Sequence, residues 1–231
     1  GSVTKYDIQG KNGSVVSTGT DSGAISMHID SNGSIYTISR NSNKVWKATS
    51  DDSTGSVLFE DNSFVSAPTS FPNSIAVDSE GNVYVSGQNM NIRKWTKSTG
   101  VSTNLDGKDA IGNPYGGNMG SGSRAISINS KGNLLVALDG SYSGTDSNGL
   151  IPTGSATVTE YKFENGNANF VKNLYTQDLT TENYYMGISS IIENSSGNLY
   201  MAIGKDANQS GTNFNNAIKD RVLVVKNGLN I

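Results

Sequence analysis

The chain has 231 residues, 106 of which are Asn, Ser, Thr or Gly, and it carries no Cys and a formal net charge of −3. The absence of Cys excludes a disulfide scaffold, a thiolate zinc site and a Cys nucleophile, and the lack of a basic excess disfavours a nucleic-acid partner. No apolar run approaches the roughly 18 residues of a membrane-spanning helix, none at the N-terminus resembles a signal peptide, and this composition disfavours helices. It predicts a β-rich domain without membrane insertion.

The chain begins with two short β-prone segments at residues 4–8 and 13–17, and four similar units follow. Each unit opens with a β-prone run that ends at Asp or Asn, whose side chain can bond the backbone two residues further on. A glycine follows where a positive φ is needed, and a second β-prone run leaves the turn, which predicts a tight hairpin. The turn glycines are Gly33, Gly81, Gly132 and Gly197.

The rest of each unit predicts further strands. Some second strands are continuous apolar runs, such as residues 134–138 and 199–203, which indicates cover on both faces. Third strands carry a bulky residue (Trp46, Trp95 and Tyr161) or an apolar run (residues 221–225), and weaker fourth strands follow in the first three units. Units of four antiparallel strands at this spacing are typical of β-propeller blades.

The sequence therefore predicts an all-β fold, a single β-propeller domain over residues 1–231. The chain would hold four to five four-stranded antiparallel blades, on its own or as part of a larger propeller. The units span about residues 24–60, 74–104, 124–174 and 187–231, and residues 4–17 are predicted to complete a blade.

Residues 72–95 read PNSIAVDSEGNVYVSGQNMNIRKW, and this unit resembles the NHL-repeat and SMP-30/gluconolactonase-like propellers. Their blades read roughly Pro-x-Gly-Ile-Ala-Val-Asp-x-x-Gly-Asn-Val-Tyr-Val-Ala-Asp, whereas Ser86 and Gly87 stand here where Ala-Asp is usual. The resemblance covers about four units. Family propellers usually have six blades, and family enzymes hydrolyse sugar lactones or organophosphates with a divalent metal held by Glu, Asn and Asp.

The same resemblance names the candidate metal ligands of this chain. They would be Asp30, Asp78, Asn129, Glu193 and Asn194. Four of these five residues stand in the hairpin turns, where Asp and Asn already have a structural role. No metal ligand and no catalytic residue is therefore assigned from the sequence.

Strand direction alternates within a blade, so the connections after second and fourth strands open on one end, which we name the long-loop end. The long segments gather there, at residues 61–71, 105–123, 139–155, 177–186 and 204–219. Loops on a rigid scaffold commonly bind ligands, and aromatic rings beside amides and carboxylates suit a glycan or a protein. The ligand-binding candidates are Tyr115, Asn118, Asp139, Tyr142, Asp146, Tyr184, Tyr185, Asp206 and Asn208.

Three other motifs are interpreted as structural. His28 is the only histidine, so we expect a packed rather than a metal-bound side chain. Residues 139–148 are rich in oxygen ligands but lack the Asp-x-Asp-x-Asp-Gly pattern, so a surface loop is favoured and Ca²⁺ is the only cofactor alternative left open. The basic residues around Trp95 fit an outer strand with one face exposed to solvent. The glycine-rich residues 116–122 lack the Lys-Ser/Thr ending of a phosphate loop.

The sequence favours a non-enzymatic, extracytoplasmic binding or adhesion module, extracellular or at a bacterial cell surface, whose ligand is a glycan or a protein. Two alternatives stay open. One is a metal-dependent, lactonase-like hydrolase, and the other is a structural subunit that forms a homo-oligomer through an open edge strand.

Overall fold

The computed structural model describes residues 2–5, 14–18, 23–40, 42–49, 54–65, 71–88, 90–108, 123–138, 142–146, 149–152, 155–178, 187–204 and 221–226. Within these ranges the chain is almost entirely β-strand, with a single-turn 3₁₀ helix at Asn62–Val65. Four antiparallel sheets are arranged in chain order as the blades of a β-propeller. No helix in the described ranges has the length and apolar character needed to cross a bilayer.

The first two blades have four strands each, hydrogen-bonded in sequence order. A separate pair, β1 (Ser2–Lys5) and β2 (Ser14–Thr18), precedes them. Blade 1 consists of β3 (Ala24–Ile29), β4 (Ile35–Ser39), β5 (Lys44–Ala48) and β6 (Ser56–Glu60). Blade 2 consists of β7 (Phe71–Val77), β8 (Val83–Gln88), β9 (Met90–Thr96) and β10 (Val101–Asn104).

The last two blades depart from this plan. The short strand β11 (Gly107–Lys108) joins the outer edge of blade 3. Blade 3 itself consists of β12 (Ser123–Ile128), β13 (Leu134–Leu138), β16 (Ser155–Glu164) and β17 (Asn167–Asp178), and the hairpin β14 (Tyr142–Asp146) and β15 (Gly149–Pro152) interrupts it. Blade 4 has three described strands, β18 (Gly187–Glu193), β19 (Leu199–Gly204) and β20 (Arg221–Val225).

The same turn joins the first and second strands of every blade, as the sequence predicts. In blade 1 the carboxylate oxygen Oδ1 of Asp30 accepts hydrogen bonds from the backbone N–H groups of Asn32 and Ser34, both at 2.9 Å. Gly33 has a φ of 79°, in the left-handed region that glycine tolerates best. Asp78, Asn129 and Asn194 make the equivalent pair of bonds in the other blades.

Alternate residues of a blade pack against different neighbours, because side chains alternate across a strand. We name the two sides of a blade its backward face, toward the preceding blade, and its forward face, toward the following one. In blade 2, Ile75 and Val83 lie on the backward face and pack with blade 1. Ala76 and Tyr84 lie on the forward face and pack with blade 3. The second strands β4, β8 and β13 are buried on both faces, as expected, whereas Tyr200 and Ala202 of β19 are only half-buried.

A segment of chain links blade 2 to blade 3 at the periphery. The N–H of Leu105 donates to the carbonyl of Ile92 in blade 2 at 2.8 Å, and the N–H of Ala168 in blade 3 donates to the carbonyl of Asp106 at 2.7 Å. Gly107–Lys108 then pairs in parallel with β17. The Leu105 side chain is buried in the core between the two blades. This segment is a clip that holds the outer edges of the two blades together.

Candidate functional site

The two ends of the propeller differ in construction. First strands finish at tight turns, as do the third strands β9 and β16, whereas second and fourth strands finish at the long-loop end. The strand registers fix this geometry: Phe71, which begins blade 2, lies opposite Gln88, which ends its second strand. The insertions in the described part of the chain that follow second strands therefore emerge at one end of a rigid scaffold, where binding residues are commonly found.

Within the described part of the chain, blade 3 makes the largest addition to the long-loop end. Leu138 pairs with Thr157, and β16 and β17 continue their pairing beyond that point through Ser155 and Asp178. The hairpin β14–β15 is inserted between Leu138 and Ser155. These two features extend the surface of blade 3 at this end.

An arginine and an aromatic ring meet at the same end, between blades 1 and 2. The guanidinium carbon of Arg40 lies 3.9 Å from the centroid of the Phe71 ring. Arg40 directly follows the buried strand β4 and is exposed, while Phe71 is half-buried. A flat cation held over an aromatic face can bind a second planar or hydroxylated group on its outer side. This pair was not among the predicted site residues, although a charged residue directly after a buried strand is a signal that the sequence contains.

The structure places the predicted ligand-binding residues only in part. Tyr142 and Asp146 form the two ends of strand β14, so both belong to the hairpin that blade 3 adds to the long-loop end. The other candidates lie outside the described residues: Tyr115, Asn118, Asp139, Tyr184, Tyr185, Asp206 and Asn208. The segment at residues 139–148 contains a strand rather than continuous loop.

The opposite, tight-turn end holds the residues that the family resemblance would assign to a metal. Their side chains are engaged in the turns, and the second oxygen of Asp78 also accepts a hydrogen bond from the Tyr84 hydroxyl at 2.9 Å. The Tyr36 hydroxyl reaches Asp30 in the same way, at 3.1 Å. Burial raises the pKa of Asp30, but hydrogen bonds from Ser34, Tyr36 and Asn32 outweigh it and leave this pKa below its ordinary value. The ionised carboxylate of Asp30 is the form that the turn of blade 1 stabilises.

Blade 3 has Leu135 where the other blades have that tyrosine, and its turn amide has another partner. The Nδ2 group of Asn129 donates to Glu160 Oε1 at 3.0 Å, and Asn133 Nδ2 donates to the same oxygen at 2.8 Å. Asn129 Nδ2 also lies 3.4 Å from Glu193 of blade 4. Lys172 lies 4.0 Å from the second oxygen of the buried Glu160. This network joins two blades and accounts for Glu193.

No group of three or more His, Cys, Asp and Glu side chains within the described ranges is arranged to hold a metal ion. His28 lies opposite Tyr36 in blade 1 and is half-buried. Burial lowers the pKa of His28, and the nearby Asp30 offsets this only in part. The neutral imidazole is the form that this packing favours.

One departure from the family pattern is Gly87, which stands where the family has an acidic residue. Steric crowding around Gly87 explains this departure. A Cβ atom added to Gly87 would overlap the carbonyl oxygen of Phe71 and lie 2.8 Å from the Cα of Pro72. Both contacts are with backbone, so a side chain cannot be accommodated without moving a strand. The close approach of β7 and β8 thus excludes the family's carboxylate at the long-loop end of blade 2.

Comparisons with known proteins support the fold. A family model described as SBBP, a beta-propeller repeat, matches residues 65–88. No curated protein matches the chain. The chain is similar to a solved streptogramin B lyase, at 14% identity and a TM-score of 0.52, over 97% of this chain and 76% of that one.

Two further solved structures share the architecture. A putative gluconolactonase has 12% identity and a TM-score of 0.52, with 88% of this chain and 60% of that one covered. YCF48 bound to D1 peptide has 8% identity and a TM-score of 0.55, with 89% and 55% covered. Identities this low concern the fold alone, and these two proteins are considerably longer than the part of them that this chain matches.

Proposed function

We propose that the protein is a non-enzymatic β-propeller binding module that holds a glycan or a protein at its long-loop end. The observation that carries the proposal is the asymmetry of the two ends. Four near-identical turns occupy the tight-turn end with internally satisfied carboxylates and amides, whereas Arg40 on Phe71 and the β14–β15 hairpin lie at the other. Exposed groups on a rigid frame are the requirement for recognition.

Two similar solved structures agree with a protein ligand. One has YCF48 bound to D1 peptide, and another is a nidogen/laminin complex, which matches 90% of this chain at 11% identity and a TM-score of 0.50. The resemblance of residues 72–95 to NHL and SMP-30-like repeats is part of the same proposal. An extracellular or cell-surface location is proposed from the Cys-free, Asn-, Ser- and Thr-rich composition.

A binding screen tests the proposal. The full chain is labelled and applied to a glycan array and to a panel of extracellular proteins, beside Arg40→Ala, Phe71→Ala and Tyr142→Ala variants. We expect at least one ligand whose affinity falls about tenfold in these variants, because each removes a contact at the same end. Lys131→Ala is the matched control, since Lys131 is an exposed cation at the tight-turn end, and its affinity should equal that of the unchanged chain.

Two outcomes would contradict the proposal. A ligand lost in Lys131→Ala and retained in the three variants would place binding at the wrong end. Lactone turnover that disappears on chelation would instead establish the metal-dependent hydrolase, the alternative that the gluconolactonase-like fold keeps open.

A further inference from the structure

Arg40 is held in place without any of its hydrogen-bond donors being used. The half-buried Arg93, by contrast, donates to Asp61 at 2.8 Å and also to Asn104. No carboxylate in the described ranges pairs with Arg40, whose guanidinium lies on the Phe71 ring at 3.9 Å. Stacking uses the flat face of a guanidinium, so the N–H groups on its rim stay available to a ligand.

A second unused donor lies near the beginning of strand β7. The register of β7 against β8 shifts between Pro72 and Ser74, so Asn73 is the extra residue of a β-bulge, a feature that often redirects a side chain beside a functional site. The Nδ2 atom of Asn73 is buried and has no acceptor among the described residues. In blade 4 the corresponding residue, Ser189, donates to the Ala202 carbonyl at 3.3 Å. A buried donor without a partner destabilises the fold, so packing does not account for Asn73.

Both donors belong to the seam between blades 1 and 2, at the long-loop end. Strand β7 packs there on β3 and β4 of blade 1. Phe71 and Asn73 are two residues apart on this strand, so their Cα atoms are about 7 Å apart, a distance that one sugar ring with its substituents can span. Asn73 is half-buried, and rotation about its soft χ2 torsion can turn Nδ2 toward a ligand.

We propose that this seam binds the carboxylate of an acidic glycan, one that contains hexuronic acid units. The inference rests on the proposed function and names the ligand class of the same end. The carboxylate would accept two parallel N–H bonds from the rim of Arg40, and a ring hydroxyl would accept a bond from Asn73 Nδ2. A uronic acid carries both acceptors on one rigid ring, whereas an acidic peptide side chain carries its carboxylate on a flexible stem with no second acceptor at a fixed distance.

Calorimetric titration of the 231-residue chain tests the ligand class. The probes are trisaccharides that contain galacturonate, glucuronate or mannuronate, each beside the same sugar with its carboxylates reduced to alcohols. We expect at least one acidic probe to bind with a dissociation constant of about 10–100 µM and its neutral counterpart about 30-fold more weakly. Arg40→Gln should cost about 30-fold in affinity and Arg40→Lys about tenfold, because Lys lacks the planar fork. Lys131→Ala, an exposed cation at the tight-turn end, should cost nothing.

Asn73→Ala separates binding from a structural role. Its affinity for the acidic probe should fall about tenfold, while its melting temperature should not fall, because Nδ2 has no partner in the described chain to lose. A lower melting temperature with unchanged affinity would assign Asn73 to the fold and overturn its part in the site. Circular dichroism establishes that each variant is folded.

Three results would overturn the ligand class. They are the absence of binding by every acidic probe up to about 1 mM, equal binding of the neutral counterpart, and tighter binding of a Glu-rich peptide than of any acidic sugar. A neutral glycan or a protein that binds the chain and is lost in Tyr142→Ala would overturn this inference and leave the proposed function standing. A ligand lost only in Lys131→Ala would overturn both.

Discussion

The ring of Phe59 stacks on the indole of Trp95, with ring centroids 5.3 Å apart and an angle of 2° between their planes. Phe59 belongs to the fourth strand of blade 1 and Trp95 to the third strand of blade 2, so this contact joins neighbouring blades away from the first strands at the centre. A stacked aromatic pair stabilises beyond the area that it buries. Tyr84 and Phe163 make the corresponding contact between blades 2 and 3, with centroids 5.0 Å apart.

Replacing Trp95 by Ala should lower the free energy of unfolding by about 2–3 kcal/mol, because the half-buried indole and its stacking contact with Phe59 are both lost. Trp95→Phe should lose less than half of that, since a ring remains on Phe59. Urea unfolding measures both values. Val101→Ala on the same blade should stay within about 0.5 kcal/mol of the unchanged chain, and an equal loss there would refute a specific role for the stack.

Asp61 should govern part of the acid sensitivity. Arg93 Nε lies 2.8 Å from its Oδ2, and the Ser102 and Ser63 hydroxyls donate to its two oxygens at 2.6 Å. Burial raises the pKa of Asp61, but these hydrogen bonds outweigh it and leave this pKa below 3.8. The unfolded chain therefore takes up the proton first, so the stabilisation is complete above about pH 5 and is lost as the pH falls through the folded pKa.

Asp61→Asn should accordingly cost about 2–3 kcal/mol at pH 7 and flatten the pH dependence of unfolding below about pH 5. Urea titrations at a series of pH values measure both effects. Glu60→Gln is the control, because it removes only the exposed ion pair to Lys44 at 3.6 Å, which is worth at most about 1 kcal/mol. An unchanged acid limb in Asp61→Asn would contradict the assignment.

Two glycine substitutions distinguish the destabilisation caused by steric crowding from that caused by an unfavourable backbone conformation. Gly87→Ala should cost about 3 kcal/mol or more, because its Cβ meets the backbone of β7. Gly132→Ala should cost only about 1–2 kcal/mol, since open space surrounds that Cβ and the penalty is its φ of 78°. Thermal unfolding compares the two variants, and the reverse order of midpoints would contradict the packing at Gly87.

Tyr84→Phe should lower stability by about 1 kcal/mol, because the hydrogen bond to Asp78 is lost while the ring stays in place. Burial raises the pKa of Tyr84, and the neighbouring Asp78 raises it further, so the phenol stays protonated at any working pH. Unfolding of the variant measures the loss. Tyr200→Phe serves for comparison, since its contact with Asn194 is longer, at 3.4 Å, and should lose less.

The hairpins could be predicted from the sequence because their causes are local. An Asp or Asn, a glycine three residues later and two flanking apolar runs determine each turn within about ten residues. The order of strands in a blade followed from the same repeats, and the observed bounds of β20 coincide with the apolar run predicted as a third strand at residues 221–225.

Features that depend on distant residues escaped prediction. Strand β11 consists of Gly107 and Lys108, which have no strand preference of their own and pair with residues about sixty positions later. The stacking of Arg40 on Phe71 joins residues that are separated by a whole outer half-blade. The exposure of Met27 is of the same kind, since its sequence environment matches that of Ile75 but its side chain is 53% exposed against 3% for Ile75.

The clip between blades 2 and 3 affects how the protein loses its structure. Leu105 is buried between two sheets and its neighbour Asp106 holds the start of β17, so blade 2 cannot fray from its outer edge without releasing blade 3. The two blades therefore form one cooperative unit, and their amide hydrogens should exchange with solvent in the same opening event. Blade 1 is joined to blade 2 at the corresponding place by side chains instead, through the Phe59–Trp95 stack and the ion pair of Asp61 with Arg93.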